Sequence, residues 1–179
     1  MLILLSALTA SALQLGDPAP PIVADDWLQG AHTSTKGKVV VVEFFASWCG
    51  PCREVVPHLS KLQSENPDDL VVIGVAADRD DPPILLDYFI RTTGMSYRAI
   101  TDDRRRTYVA YMKGMGVKGI PAAFLIDRSG RLVWQGHPTR LDEPVTEALA
   151  SPVPATLHES VPKEGLWRQL SRWWIDLRA

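Results

Sequence analysis

Cysteine is scarce: the 179-residue sequence holds two. That count excludes a disulfide-dense scaffold and a zinc ribbon built from four thiolates. A chain of this length needs neither, because it can bury a core covering roughly 70% of its unfolded surface. An excess of charge of one sign is also lacking. Lys and Arg number 19 against 21 Asp and Glu, for a net charge of −2. No global basic field for nucleic acid follows from that balance. No apolar run reaches the about 18 residues of an ordinary membrane-spanning helix. No internal repeat is visible. What is present is ordinary globular composition, 46% hydrophobic and 22% charged, with one dithiol whose use has to be explained.

The ends differ from the middle. Residues 1–13, MLILLSALTASAL, are apolar and small, and Ala10-Ser11-Ala12 fits a small-x-small cleavage pattern. This predicts a signal peptide and an exported, periplasmic protein. No Lys or Arg precedes the apolar run, so a cytoplasmic location with this segment packed in the fold is the alternative. Residues 151–162, SPVPATLHESVP, hold three prolines without periodicity and read as a linker. In residues 163–179, Leu166, Trp167, Leu170, Trp173, Trp174 and Leu177 recur at helical spacing, predicting an amphipathic tail helix. Three roles are open to it: packing on its own domain, dimer contact, or membrane-surface contact through Lys163, Arg168 and Arg172.

Between these ends, residues 14–150 read as one α/β domain. Gly16 to Pro21 is punctuation, and a turn-rich stretch follows to Gly37. Residues 38–47, KVVVVEFFAS, form a continuous rather than alternating apolar run, the pattern of a strand buried on both faces of a parallel sheet. Residues 51–66 predict a helix interrupted by Pro57. A second buried strand spans 70–77, a helix 82–92 and a short strand 97–100. Residues 101–114 predict a further helix, capped by Thr101 or Asp102 and stopped by Gly114. Within it, Arg104–Arg106 reads as a solvated face beside Asp102 and Asp103. Residues 122–127 and 131–136 make a hairpin around Arg128-Ser129-Gly130, and 141–150 a last helix. Strands alternating with helices and closing on a hairpin define a layered α/β fold.

The chemistry sits at Trp48-Cys49-Gly50-Pro51-Cys52. A tetrahedral zinc site needs two further ligands, and the four histidines are scattered singly. The redox alternative has a mechanical basis. The pair falls between a buried strand and a helix, so Cys49 sits at the helix N-terminus, where free N–H groups stabilise a thiolate. Cys52, one turn on and more buried, can resolve a mixed disulfide formed on an exposed Cys49. Pro51 removes an N–H where a helix can spare one. Trp48 either covers one side of the pair or is a plain core aromatic. Glu43 places a carboxylate in an apolar strand. Buried, it would have a raised pKa and could accept the proton that Cys52 must lose; alternatively it reaches solvent. Pro121, in Gly119-Ile120-Pro121, cannot donate to a ladder and suits a strand entry or a cis turn.

Together, WCGPC after an apolar strand, Pro57 in the following helix, Gly-Ile-Pro before AAFLID and the hairpin SGRLVWQG resemble the thioredoxin superfamily. LQLGDPAP and the extra strand and helix before GIP resemble its TlpA-like, redoxin branch. The resemblance covers residues 14–150. It implies a thioredoxin fold, with a central mixed sheet flanked by helices and a strand–helix insert. It implies thiol–disulfide exchange without a cofactor, acting on protein disulfide or dithiol substrates and fed by an upstream redox donor. Cys49, Cys52 and Glu43 are then the catalytic residues. Trp48, Gly50, Pro51, Ile120, Pro121 and Gly136 line the substrate site, with Ile120 and Pro121 pairing a client peptide as an added strand. Pro57 matches the family's helix kink. Two positions depart from thioredoxin. Gly74 stands near the place of a lysine beside the buried acid, and that acid is glutamate rather than aspartate. Gly-Pro between the cysteines resembles the reducing members. A thiol peroxidase, or an assembly module whose dithiol only holds a partner, are the alternatives.

Overall fold

The computed structural model describes residues 12–152. Most of the leader-like segment, the linker beyond residue 152 and the tail at 163–179 lie outside the described residues.

Two valine-rich strands form the centre. β2 (Val39–Phe45) and β3 (Leu70–Ala76) are buried at every position, as their continuous apolar runs require. They pair in parallel, Val39 against Leu70 through Phe45 against Ala76. β4 (Arg98–Thr101) extends the parallel set beside β3. On the other flank, β5 (Ala122–Ile126) and β6 (Leu132–Gly136) run antiparallel. With β1 (Asp26–Gln29) at the edge, the order is β1-β4-β3-β2-β5-β6. This is the expected mixed sheet.

Helices cover both faces. α1 (Gly50–Glu65) crosses from β2 to β3, and α2 (Pro83–Thr93) from β3 to β4. They share one face with α4 (Asp142–Ala150), around a core of Phe45, Val55, Leu59, Phe89 and Val145. The opposite face holds Phe44, Tyr111, Met112 and Phe124. Strand alternation sorts β2 between them: Val39, Val41 and Phe45 meet α1, whereas Val40, Val42 and Phe44 face away. Each such side chain contributes roughly 1.5–3 kcal/mol by leaving water.

Local expectations change at four places. The stretch before Gly37, read as turns, contains β1, because its hydrogen-bonding partner lies far downstream. Asp26 pairs with Thr101, and the Gln29 amide donates to the Met95 and Tyr97 carbonyls at 2.8 and 2.7 Å. The helix expected over 101–114 is shorter and irregular. Thr101 ends β4, so it caps nothing. The cap position is Arg105, in the left-handed region at φ 55°. α3 (Arg106–Tyr108) then widens into a π-helical turn, Val109–Lys113. Asp102 instead accepts from the Tyr108 amide at 2.6 Å. The buried Tyr111 hydroxyl donates to the Pro20 carbonyl at 2.6 Å. Tertiary contacts thus outweigh the local helix signal here.

The arginine run is solvated at Arg104 and Arg106, as its pattern suggests, but Arg104 and Arg105 precede α3 and the run is anchored. Arg104 and Arg106 approach Asp25 at 3.3 and 2.8 Å, and Arg105 stacks 3.7 Å over the Tyr108 ring. The Arg104 amide, assisted by both guanidinium groups, holds the Asp25 carboxyl below its ordinary range. Finally, Pro57 does not interrupt α1, which runs through it as one helix. Proline removes one N–H there, and the buried stripe Cys52, Val55, Val56, Leu59 and Leu62 keeps the helix on the sheet.

Candidate active site

The site forms where β2 ends and α1 begins. β2 is buried along its whole length. Its exit is pinned by Ser47, whose amide and hydroxyl both donate to the Asp81 carboxylate, at 2.6 and 2.5 Å. Cys49 follows as the N-cap of α1, in extended conformation. Its Sγ accepts from the Cys52 amide at 3.2 Å, as a cap side chain does. Pro51 occupies the first turn, and no acidic residue lies in that turn to oppose negative charge on sulfur. Cys49 and Cys52 are joined as a disulfide, their Cα atoms 5.3 Å apart.

The pair is less open than the sequence implies. Cys49 was expected to be exposed, yet it is 4% accessible, and Cys52 is 0%. The Cys49 side chain, bonded to Cys52, belongs to the core cluster that also holds Phe45 and Val56. What accessibility remains is on Cys49. The exposed rim is formed by Trp48, Gly50 and Pro51. Trp48 is 66% exposed, so it is not a core aromatic. Its indole N–H donates to Asp78 Oδ2 at 3.0 Å, tying it to the loop after β3. Asp78 and Asp81 belong to this architecture but carry no sequence signal beyond acidity next to a strand end.

Glu43 lies on the face of β2 that α1 covers, in the same layer as Cys52, and is fully buried. Its neighbours along the sheet are small: Gly74 on β3 and Ala123 on β5, followed by Ala99 and Gly136. This row leaves the carboxyl space but no solvent. Neither of its oxygens has a hydrogen-bond partner. Burial raises its pKa from 4.5 to about 8, with a smaller opposing pull from the Tyr97 hydroxyl. Tyr97 was not anticipated. It stands beside Glu43, yet the two fall short of hydrogen-bond geometry, and the hydroxyl too is unpartnered. Only the strand register brings these residues together.

The other rim is the entry to β5. The Ile120–Pro121 peptide is cis. Pairing of Ala122 with Phe44 sets this loop at the end of β2 that leads into Cys49. Ile120 packs against the core cluster that contains both cysteines. Gly136 lies one strand further out, opposite Ala123. It has a packing reason of its own: a Cβ there would come within 2.6 Å of the Trp134 ring.

A buried mixed sheet that delivers two cysteines to a helix N-terminus, beside a proline loop, defines a thioredoxin-like dithiol protein. The Redoxin family model matches residues 14–150, and the chain belongs to that family. It is 31% identical over 126 residues to the thiol-disulfide oxidoreductase ResA of Bacillus thuringiensis (strain Al Hakam), covering 69% of each chain. It is 30% identical over 164 residues to the protein FixW of Rhizobium leguminosarum, covering 86% of this chain and 74% of that one. Among solved structures it resembles a thiol-disulfide isomerase from Corynebacterium glutamicum, with TM-score 0.64 and 25% identity over 75% of this chain and 97% of the other. It also resembles a thiol:disulfide interchange protein of the thioredoxin family from Chlorobium tepidum TLS, with TM-score 0.59 and 28% identity over 74% and 97% of the two chains. The protein is a thiol–disulfide oxidoreductase that acts on protein thiols together with redox partners.

Proposed function

We propose that the protein reduces disulfides in client proteins through Cys49 and Cys52, with Glu43 as the proton acceptor. The observation that carries this reading is a dithiol pair at the N-terminus of α1 with a buried, unpartnered carboxyl in the layer behind it. In the reduced protein, the Cys49 thiolate attacks one sulfur of a client disulfide. A mixed disulfide forms and one client thiolate leaves. Cys52 then gives its proton to the Glu43 carboxylate. Its thiolate attacks Cys49 Sγ, closing the Cys49–Cys52 bond and releasing the second client thiolate. Two electrons pass to the client, whose thiolates take up protons. An upstream donor restores the dithiol. Trp48, Gly50 and Pro51 on one rim, and Ile120 with Pro121 on the other, bound the client segment, which pairs along the Pro121 loop. Gly136 serves this groove as the small residue at its outer side.

The wild-type protein should accelerate reduction of insulin disulfides by dithiothreitol, and a silent wild type would overturn the reading. Glu43→Ala should slow resolution of the mixed disulfide about 10²-fold while leaving the initial attack nearly unchanged, as loss of a general base does. Rapid-quench kinetics separate the two steps, and equal slowing of both would remove Glu43 from the mechanism.

We further propose an exported setting, supported by the leader-like segment 1–13. A membrane-impermeant thiol reagent applied to intact cells should then label the reduced pair; protection until lysis would indicate the cytoplasm.

A further inference from the structure

Two unsatisfied groups lie side by side in the core. Glu43 has both oxygens without partners, and the Tyr97 hydroxyl has none. Both side chains are buried. An unpaired polar group in such a place is destabilising, so two together ask for a reason. The space around them is shaped. A Cβ at Gly74 would lie 3.2 Å from Phe45 Cε1 and 3.3 Å from Tyr97 Cε2. The Tyr97 ring therefore fills the region over β3 that a side chain at position 74 would otherwise take. β4 is registered so that Ala99, two residues from Tyr97 and on the same face, lies opposite Gly74, which lies opposite Glu43.

We propose that Tyr97 is a positioning residue of the redox site: its hydroxyl, admitted by the missing side chain at Gly74, donates to the Glu43 carboxylate and holds it ready to receive the Cys52 proton. This rests on the reading of Glu43 as the proton acceptor. With Glu43 protonated, the carboxyl accepts weakly and the two groups stand apart. When Glu43 ionises, the phenol turns onto it. As the proton arrives from Cys52, that hydrogen bond loosens again. The phenol does not lose its own proton, because burial and the facing carboxyl push it well above its ordinary range. It donates and never accepts charge.

No competing group occupies the site among the described residues. β3 offers Gly74 and β5 offers Ala123. α1 offers Cys52, which titrates once the disulfide opens, with Val55, Val56 and Leu59. Three charged groups on or beside the covering elements are engaged elsewhere. The Arg53 guanidinium lies 4.8 Å over the Phe89 ring, Asp81 holds Ser47, and His58 faces Asp142 at 3.7 Å.

The test is the pH profile of the resolving step, measured on the full chain with a preformed mixed disulfide on Cys49. Tyr97→Phe keeps the ring and removes the donor. Its profile should move about one pH unit upward, the size of effect one hydrogen bond to a carboxylate produces. 3-Fluorotyrosine at position 97 is a stronger donor and should move the profile downward. That second probe also covers the case in which Tyr97→Phe folds poorly. Glu43→Gln should abolish the inflection that belongs to Glu43, leaving a slower step that follows only the titration of the Cys52 thiol. If Glu43→Gln abolishes that inflection while both Tyr97 forms overlay the wild type, Tyr97 is a packing residue and the inference falls alone. If Glu43→Gln leaves the profile intact, the reading of Glu43 falls with it. Opposite shifts from the two Tyr97 forms establish the role.

Discussion

Cys52→Ala converts the protein into a covalent trap. Cys49 still attacks client disulfides, and the mixed disulfide then has no internal thiol to break it. The geometry sets the size of the effect. Cα atoms 5.3 Å apart lie within the roughly 4.4–6.8 Å that a disulfide spans, so Cys52 meets Cys49 without backbone movement. Well-oriented intramolecular groups act at effective concentrations that reach about 10⁵ M. An external thiol at millimolar concentration replaces Cys52 poorly, so resolution should slow at least about a thousandfold. Non-reducing electrophoresis and mass spectrometry of the full chain should find Cys49 occupied in nearly every molecule offered a protein disulfide. Cys49→Ser added to that variant should abolish the adducts. Adducts that persist in the double variant, or that never form in the single one, would contradict the assignment of attacking and resolving sulfurs.

The second large effect is on stability, and its sign follows from Glu43. The folded protein holds this carboxyl at a pKa of about 8, against 4.5 ordinarily. A raised folded pKa means that the unfolded chain releases the proton first. The associated stability is whole below pH 4.5. It is lost as pH rises, and the loss is complete once pH 8 is passed. At about 1.4 kcal/mol per pH unit, the fall across that window is about 5 kcal/mol. For a domain of this size that corresponds to roughly 15 °C in melting temperature. Glu43→Gln cannot ionise, so its stability should lack this component. Urea unfolding of the disulfide form at pH 5, 7 and 9 measures it as the difference between variant and wild type. Parallel curves for the two proteins would mean that the carboxyl is solvated, which its complete burial opposes. The cost falls where the proposed chemistry needs a base, a coincidence common to active sites.

Much of the scaffold was legible because its signals are local and strong. Seven-residue runs such as VVVVEFF and LVVIGVA can satisfy their side chains only between two covered faces. The one carboxylate in such a run could be buried among apolar groups or reach solvent, and it is buried. Gly130 in the hairpin and Gly94 after α2 both sit at positive φ, as turn and cap glycines do. Signals that depended on a distant partner were missed. β1 carries no strand pattern of its own and exists because β4 offers it hydrogen bonds. The residues around Tyr111 follow helical periodicity, yet packing on Phe44 and Phe124 widens the turn. The burial of Cys49, and the choice between rim and core for Trp48, depended on side-chain packing, which periodicity does not report.

The sequence by itself determined the reactive unit, because two cysteines flanking Gly-Pro after a buried strand meet a helix N-terminus wherever that strand leads into a helix. It also determined the layered fold, through run length and alternation. Only the tertiary structure decided what stands behind the sulfurs. Glu43, Gly74 and Tyr97 lie on three different segments, and no spacing between them carries information. Parallel pairing of β2, β3 and β4 sets Glu43 against Gly74 and brings Tyr97 over the gap. A side chain's surroundings in a sheet are set by register across strands, and register is a property of the folded chain.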